Sequence, residues 1–163
     1  MNRHVSALLV ALVLLLPTHK SALLAEGGPD FDEMTVKKSF LILKSTPDYN
    51  EALVSARKAA KKLGLKLDLR DLSKNDQICL TFPKETCEGE GWEFPCYVAR
   101  GRFDDGSYVS VEYLSSYEGF TKGLYIVLGA GGNEETALTL EPARKYFPDA
   151  YAKTTKVYVG CIH

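Results

Sequence analysis

Four cysteines, Cys79, Cys87, Cys96 and Cys161, carry the most definite chemistry in this 163-residue chain. An even count in an exported protein reads as two disulfides. Three pairings are possible. Cys87 and Cys96 flank the short stretch from Glu88 to Pro95, which favours Cys87–Cys96 and leaves Cys79–Cys161. The second bond would close a long loop and add about 3–5 kcal/mol, chiefly by restricting the unfolded chain in the entropy account. A metal site is the weaker reading. No two cysteines have C-x-x-C spacing, and Cys161 with His163 makes a poor chelator. No metal and no cofactor are expected.

Other catalytic chemistries find little material. Beyond the leader the only histidine is His163, which removes most Ser-His-Asp and Cys-His schemes. A thiol oxidoreductase wants a closely spaced reactive pair. Gly129, Gly131 and Gly132 follow a strand-like run, but the spacing differs from a dinucleotide fingerprint and Glu134 and Glu135 would repel a phosphate. A turn needing positive φ before a capped helix accounts for these glycines. Glu85, Glu88, Glu90, Glu93, Asp104, Asp105 and Glu112 supply carboxylates without singling out a glycosidase pair. No catalytic residue is assigned. Aromatics are more suggestive: Trp92, Phe94, Tyr97, Tyr108, Tyr113, Tyr117, Phe120, Tyr125 and Tyr158 cluster in the middle and second half. Rings on a sheet give flat platforms suited to sugars, although tyrosine is also a common strand residue.

The elements that must position these groups form a repeat. Ser39–Leu43 reads as a strand, Asp48–Leu63 as a helix and Leu65–Leu69 as a strand. Asp48 and Glu51 form a capping box, Ala52, Leu53, Ala56, Ala59, Ala60 and Leu63 lie on one apolar stripe, and Gly64 stops the helix. Leu124–Leu128, a helix from Asn133 to Phe147 and a strand at Thr155–Val159 repeat the order, with a break or kink expected at Pro142. Between the halves lies an insert, residues 71–123. It reads as loop to Pro95 and then as a hairpin, Tyr97–Phe103 and Tyr108–Leu114, around Asp104-Asp105-Gly106. In Tyr108–Leu114, Val109, Val111 and Tyr113 alternate with Ser110 and Glu112.

Residues 1–25 read as a signal peptide. Arg3 and His4 precede an apolar run from Val5 to Leu16, about a dozen residues and too short for a bilayer span. An uncleaved anchor is the alternative. Residues 26–38 read as a flexible acidic lead-in, with order beginning near Val36, and residues 39–163 as one domain. Of the 20 lysines and arginines, Arg3 and Lys20 lie in the leader; the remaining 18 against 21 acids give a formal charge of −3. That balance offers no electrostatic reason for a nucleic-acid partner. No later segment is apolar enough to cross a membrane.

The two halves resemble the SPOR (sporulation-related repeat) domain. Tyr125-Ile126-Val127-Leu128-Gly129 resembles its opening strand, Glu135-Thr136-Ala137 the start of its helix, and Lys156-Val157-Tyr158-Val159-Gly160 its closing strand. Phe40-Leu41-Ile42-Leu43 fits the first opening strand less well, and the cysteine-bearing insert departs from the pattern. The resemblance implies a ferredoxin-like sheet backed by two helices, and binding of peptidoglycan glycan strands in a bacterial envelope.

These readings give an α+β fold: an antiparallel sheet from two βαβ halves, helices on one face, and the hairpin extending the sheet. The expected protein is a non-catalytic periplasmic or secreted module that binds peptidoglycan. The first alternative is an exported interaction or inhibitor protein presenting the Cys87–Cys96 loop; the second is a small envelope hydrolase. The expected ligand face lies opposite the helices. Alternation turns Val157 and Val159 to the helices and Tyr158 to the open face. Tyr125 joins Tyr158 there, Tyr113 and Tyr97 extend the platform, and Trp92 marks the loop as the other place for a site.

Overall fold

The computed structural model of the chain describes residues 34–101, 104, 108–131 and 140–159. They form an α+β fold with a mixed five-stranded sheet. Strand β1, Thr35–Thr46, runs through its middle. The run Phe40-Leu41-Ile42-Leu43 is buried on both sides, as befits a strand covered on both faces. β1 begins inside the expected lead-in, because Thr35–Lys38 pair with the last strand, β7, Tyr151–Tyr158. On its other side β1 pairs antiparallel with β6, Tyr125–Gly131.

Helix α1, Tyr49–Leu63, is capped much as expected. The Asp48 carboxylate accepts from the Glu51 amide at 2.9 Å, and Gly64 closes the helix in the left-handed region at φ 66°. Glu51 does not reach back to the cap amide. Its carboxylate takes Lys44 at 2.7 Å and the Thr46 hydroxyl, while the Asp48 amide donates to Thr46 at 3.2 Å. Ala52, Ala56, Ala59 and Ala60 are all buried against the sheet. Their small side chains let the helix axis lie close to the strands.

The insert departs from expectation. Strand β2, Lys66–Leu67, is followed by a small hairpin of β3, Ser73–Asn75, and β4, Cys79–Thr81, and by helix α2, Lys84–Gly89. The part from β3 through α2 was expected to be loop, whereas β2 falls within the strand expected at Leu65–Leu69. α2 has no apolar stripe; its one buried residue is Cys87, bonded to Cys96 with Cα atoms 5.8 Å apart. Of the expected hairpin, only the second arm is a strand, β5, Tyr108–Tyr113. Tyr97–Arg100 forms no strand. Arg100 instead donates from Nη1 to the Tyr108 carbonyl at 2.8 Å and to Ser110 Oγ at 3.2 Å.

β5 does not extend an edge. The sheet order is β2-β5-β6-β1-β7, with β5 parallel to β2 and antiparallel to β6. The all-antiparallel sheet expected from sequence is therefore mixed. The reason is visible in β5: Val109, Ser110, Val111 and Glu112 are all buried, so neither face tolerates an edge position. Helix α3, Leu140–Arg144, contains Pro142. The expected cap at Asn133, Glu134 and Glu135 lies outside the described residues.

Two apolar layers sandwich the sheet. Toward the helices, Leu41, Leu43, Val109, Val111, Tyr125 and Val127 pack on the α1 alanines and Ala143. On the opposite side, Phe40, Ile42, Ile126, Leu128 and Val157 are covered by Leu114, Tyr117 and Phe120. The face expected to be open is thus roofed by the connection between β5 and β6. Gly101, before β5, comes close to Phe40 on this side. At φ +102° it sits where a Cβ would lie 3.0 Å from the Phe40 ring. Gly129 was expected in a turn, yet it lies within β6, where a Cβ would meet Leu43 Cδ1 at 2.8 Å. It serves close packing rather than a positive φ.

Candidate functional site

The five aromatics expected at the site occupy three places. Tyr125 is a core residue, 4 % exposed, on the helix side. Its ring lies 5.4 Å from Tyr49 and 5.1 Å from Tyr113, and its hydroxyl donates to the Cys79 carbonyl at 3.3 Å. Burial, and then the neighbouring Cys79, push its phenol pKa up. Tyr113 packs beside it, half-buried. Neither ring belongs to a platform facing away from the helices. The register is the cause: Tyr125 alternates with Ile126, which takes the opposite face. Val157 likewise packs with Phe40 and Ile42, away from the helices, reversing the sense expected for β7.

Tyr97 and Tyr158 do come together. Both line a pocket of about 490 Å³ with Thr35, Ser116, Glu118 and Lys156. A second pocket of about 230 Å³, lined by Lys37, Gly119 and Thr154, shares Glu118 and Lys156 with the first. The two adjoin on the β1–β7 side as one groove. Its chemistry is mixed: two phenol rings, hydroxyls, lysines and one carboxylate. The Tyr158 hydroxyl reaches Met34 Sδ at 3.6 Å.

Beneath the groove lies a buried polar cluster that sequence reasoning missed. The carboxylate of Glu112 is wholly buried. Its Oε2 accepts from Arg70 Nη1 at 2.9 Å and the Tyr97 hydroxyl at 2.6 Å, with the Tyr117 hydroxyl at 3.5 Å. Oε1 has no hydrogen-bond partner among the described residues. Arg70 Nη2 also donates to the Val98 carbonyl at 3.1 Å. Burial works to lower the Arg70 pKa, but Glu112, with Tyr97 and Tyr108 beside it, more than offsets that and the guanidinium stays charged. Burial, and then Glu112, hold the Tyr97 and Tyr117 phenols well above the ordinary tyrosine range. The cluster is an ion pair with two neutral phenols. Glu112 lines neither of the two larger pockets, so its part is to pin Tyr97–Gly101 and the turn at Arg70 onto the sheet. One local sign of that constraint is backbone: Arg70 and Asp71 both adopt positive φ, 57° and 55°, uncommon outside glycine.

Trp92 stands apart, in a second pocket of about 490 Å³ with Arg70, Phe82, Glu90, Asp104 and Tyr108. The Cys87–Cys96 bond closes the loop that carries it. The expected Cys79–Cys161 pair involves a residue outside the described ones; Cys79 forms no disulfide with another described cysteine. Among the described residues no three His, Cys, Asp or Glu side chains could hold a metal ion together, and no helix is long and apolar enough to cross a membrane.

A scan against protein-family models, a search of curated proteins and a search of solved structures each returned no match.

Proposed function

We propose that this chain is an exported, non-catalytic module of the bacterial cell envelope that binds peptidoglycan glycan strands in the groove where Tyr97 and Tyr158 meet. The observation that carries the reading is the shape and lining of that groove. Two adjoining pockets offer more than one subsite, as a polymer requires, and together they combine ring faces with hydroxyls and both signs of charge. Pyranose rings stack on phenols, and their hydroxyls take hydrogen bonds from the polar groups between. Export is supported by the apolar leader at Val5–Leu16 and by the Cys87–Cys96 disulfide. The SPOR-like, ferredoxin-like reading draws on strand order. With β5 set aside, β2, β6, β1 and β7 follow in the order of two interleaved βαβ halves. The ligand surface differs from the flat platform expected of that family, because the β5–β6 connection covers the middle of the sheet.

Co-sedimentation with purified sacculi tests the proposal. The native chain should sediment with them, and Tyr158→Ala should bind about fivefold more weakly, since a stacked ring contributes on the order of 1 kcal/mol. Absence of binding by the native chain, or full binding by a folded Tyr158→Ala variant, would reject the groove as a glycan site. A cleared zone in a peptidoglycan zymogram would make the protein a hydrolase instead.

A further inference from the structure

We propose that the pocket beside the disulfide loop is a second site, which docks a basic, apolar-bearing segment of a protein partner. Its walls are apolar: Phe82, Trp92, Val98 and Tyr108. The one guanidinium in its lining, Arg70, and the lining carboxylate of Asp104 are both already paired. Arg70 is paired with Glu112 at 2.9 Å, and Arg100 with Asp104 at 3.4 Å while lying 3.7 Å over the Tyr108 ring. The charge left at the mouth is therefore negative. Glu90 lines the pocket, and Glu85, Glu88 and Glu93 stand exposed on the same segment. From Pro83 to Cys96 these four carboxylates face a single lysine, Lys84, which lies 3.5 Å from Glu88. An apolar pocket with Glu90 in its lining and further carboxylates on the adjoining segment fits a partner segment that alternates lysine or arginine with large apolar side chains.

The loop is also built to keep its shape. The Trp92 amide donates to the Cys87 carbonyl at 2.8 Å, the Phe82 amide to the Cys96 carbonyl at 2.9 Å, and the Cys96 amide to Thr81 Oγ1 at 3.2 Å. With the disulfide, these bonds fix Trp92 before any partner arrives, which lowers the ordering cost of binding. Phe94, 40 % exposed at the loop's end, offers a further contact. The Tyr158 groove does not include this loop.

Trp92 is the only tryptophan in the chain, so its emission reports on this pocket alone. The probes are a short capped peptide of alternating lysine and leucine, its glutamate–leucine counterpart and a chitin oligosaccharide, each titrated into the exported full chain. The lysine peptide should give a saturable blue shift, and the other two none. Changing Glu88, Glu90 and Glu93 together to Gln should raise its Kd about tenfold and leave sacculus binding unchanged. No shift with the lysine peptide, an equal shift with the glutamate peptide, or an unaltered Kd in the triple variant would overturn the proposal. A shift produced only by the oligosaccharide would assign the pocket to sugar and overturn it equally.

Discussion

Removing the carboxylate of Glu112 should destabilise the protein more than any other single side-chain truncation in the insert. Glu112 is wholly buried, and its partner Arg70 keeps only 16 % of its side-chain surface exposed. Glu112→Ala leaves that guanidinium without its counter-ion and deprives the Tyr97 hydroxyl of its 2.6 Å acceptor. Breaking a buried ion pair on one side costs about 3–5 kcal/mol. Glu112→Gln keeps an acceptor oxygen and the side-chain volume while losing the charge, so it should cost about 1–3 kcal/mol. The double variant Arg70→Met, Glu112→Leu removes both charges and should recover half or more of the Ala loss, because no unpaired ion remains. Urea unfolding with constant m separates these cases. A Glu112→Ala cost below about 1 kcal/mol, or a double variant no more stable than Glu112→Ala, would refute the account of the cluster as an interdependent buried pair.

Alkaline pH attacks the same cluster from its phenols. Tyr97 and Tyr117 hold their protons to higher pH in the fold than in the unfolded chain. Their contribution is therefore full below the ordinary tyrosine pKa of about 10 and is lost as pH rises beyond it. The urea midpoint should be level to about pH 9 and fall above pH 10, together with the rise of phenolate absorbance; a midpoint still level about a unit and a half higher would contradict the buried phenols. Changing Cys87 and Cys96 together to Ser should cost about 2–3 kcal/mol for a loop of this size, and should shift Trp92 emission to the red; unchanged emission would mean that the loop keeps its shape without the bond. Gly129→Ala should destabilise by roughly 1–3 kcal/mol as Leu43 is displaced, and a neutral urea midpoint would show that this contact gives way freely.

Much of the α1 half was legible because its signals are local. The Asp48 cap, the alanine stripe and the Gly64 stop each depend on residues within a few positions of one another. The Cys87–Cys96 bond was legible for the same reason. What the sequence concealed depends on partners far apart in the chain. Glu112 reads as the polar member of an alternating strand, and only the approach of Arg70, forty-two residues earlier, turns it inward. Tyr117 and Phe120 stand in the sequence only among the clustered aromatics, yet they roof Phe40 and Ile42. Strand register separates the expected platform of Tyr125, Tyr158, Tyr113 and Tyr97, and the roof covers the face on which it was expected. Tyr113 and Tyr125 fall on the helix side, Tyr97 packs against that same cluster, and the reversed sense of β7 turns Val157, not Tyr158, to the opposite face.

The buried ion pair makes sense once the two larger pockets are considered together. They share Val98 and Ala99, so this non-strand segment is the wall between them. Val98 is held by Arg70, which lines the Trp92 pocket, and Tyr97 beside it lines the Tyr158 groove. Both side chains reach the same oxygen, Glu112 Oε2. A segment without ladder hydrogen bonds needs some other restraint, and an apolar wall would supply packing without direction. A carboxylate supplies direction, because each of its donors must arrive along a hydrogen bond. The cost of burying Glu112, with one oxygen unpartnered among the described residues, is thus offset by a fixed wall that gives both pockets their shape.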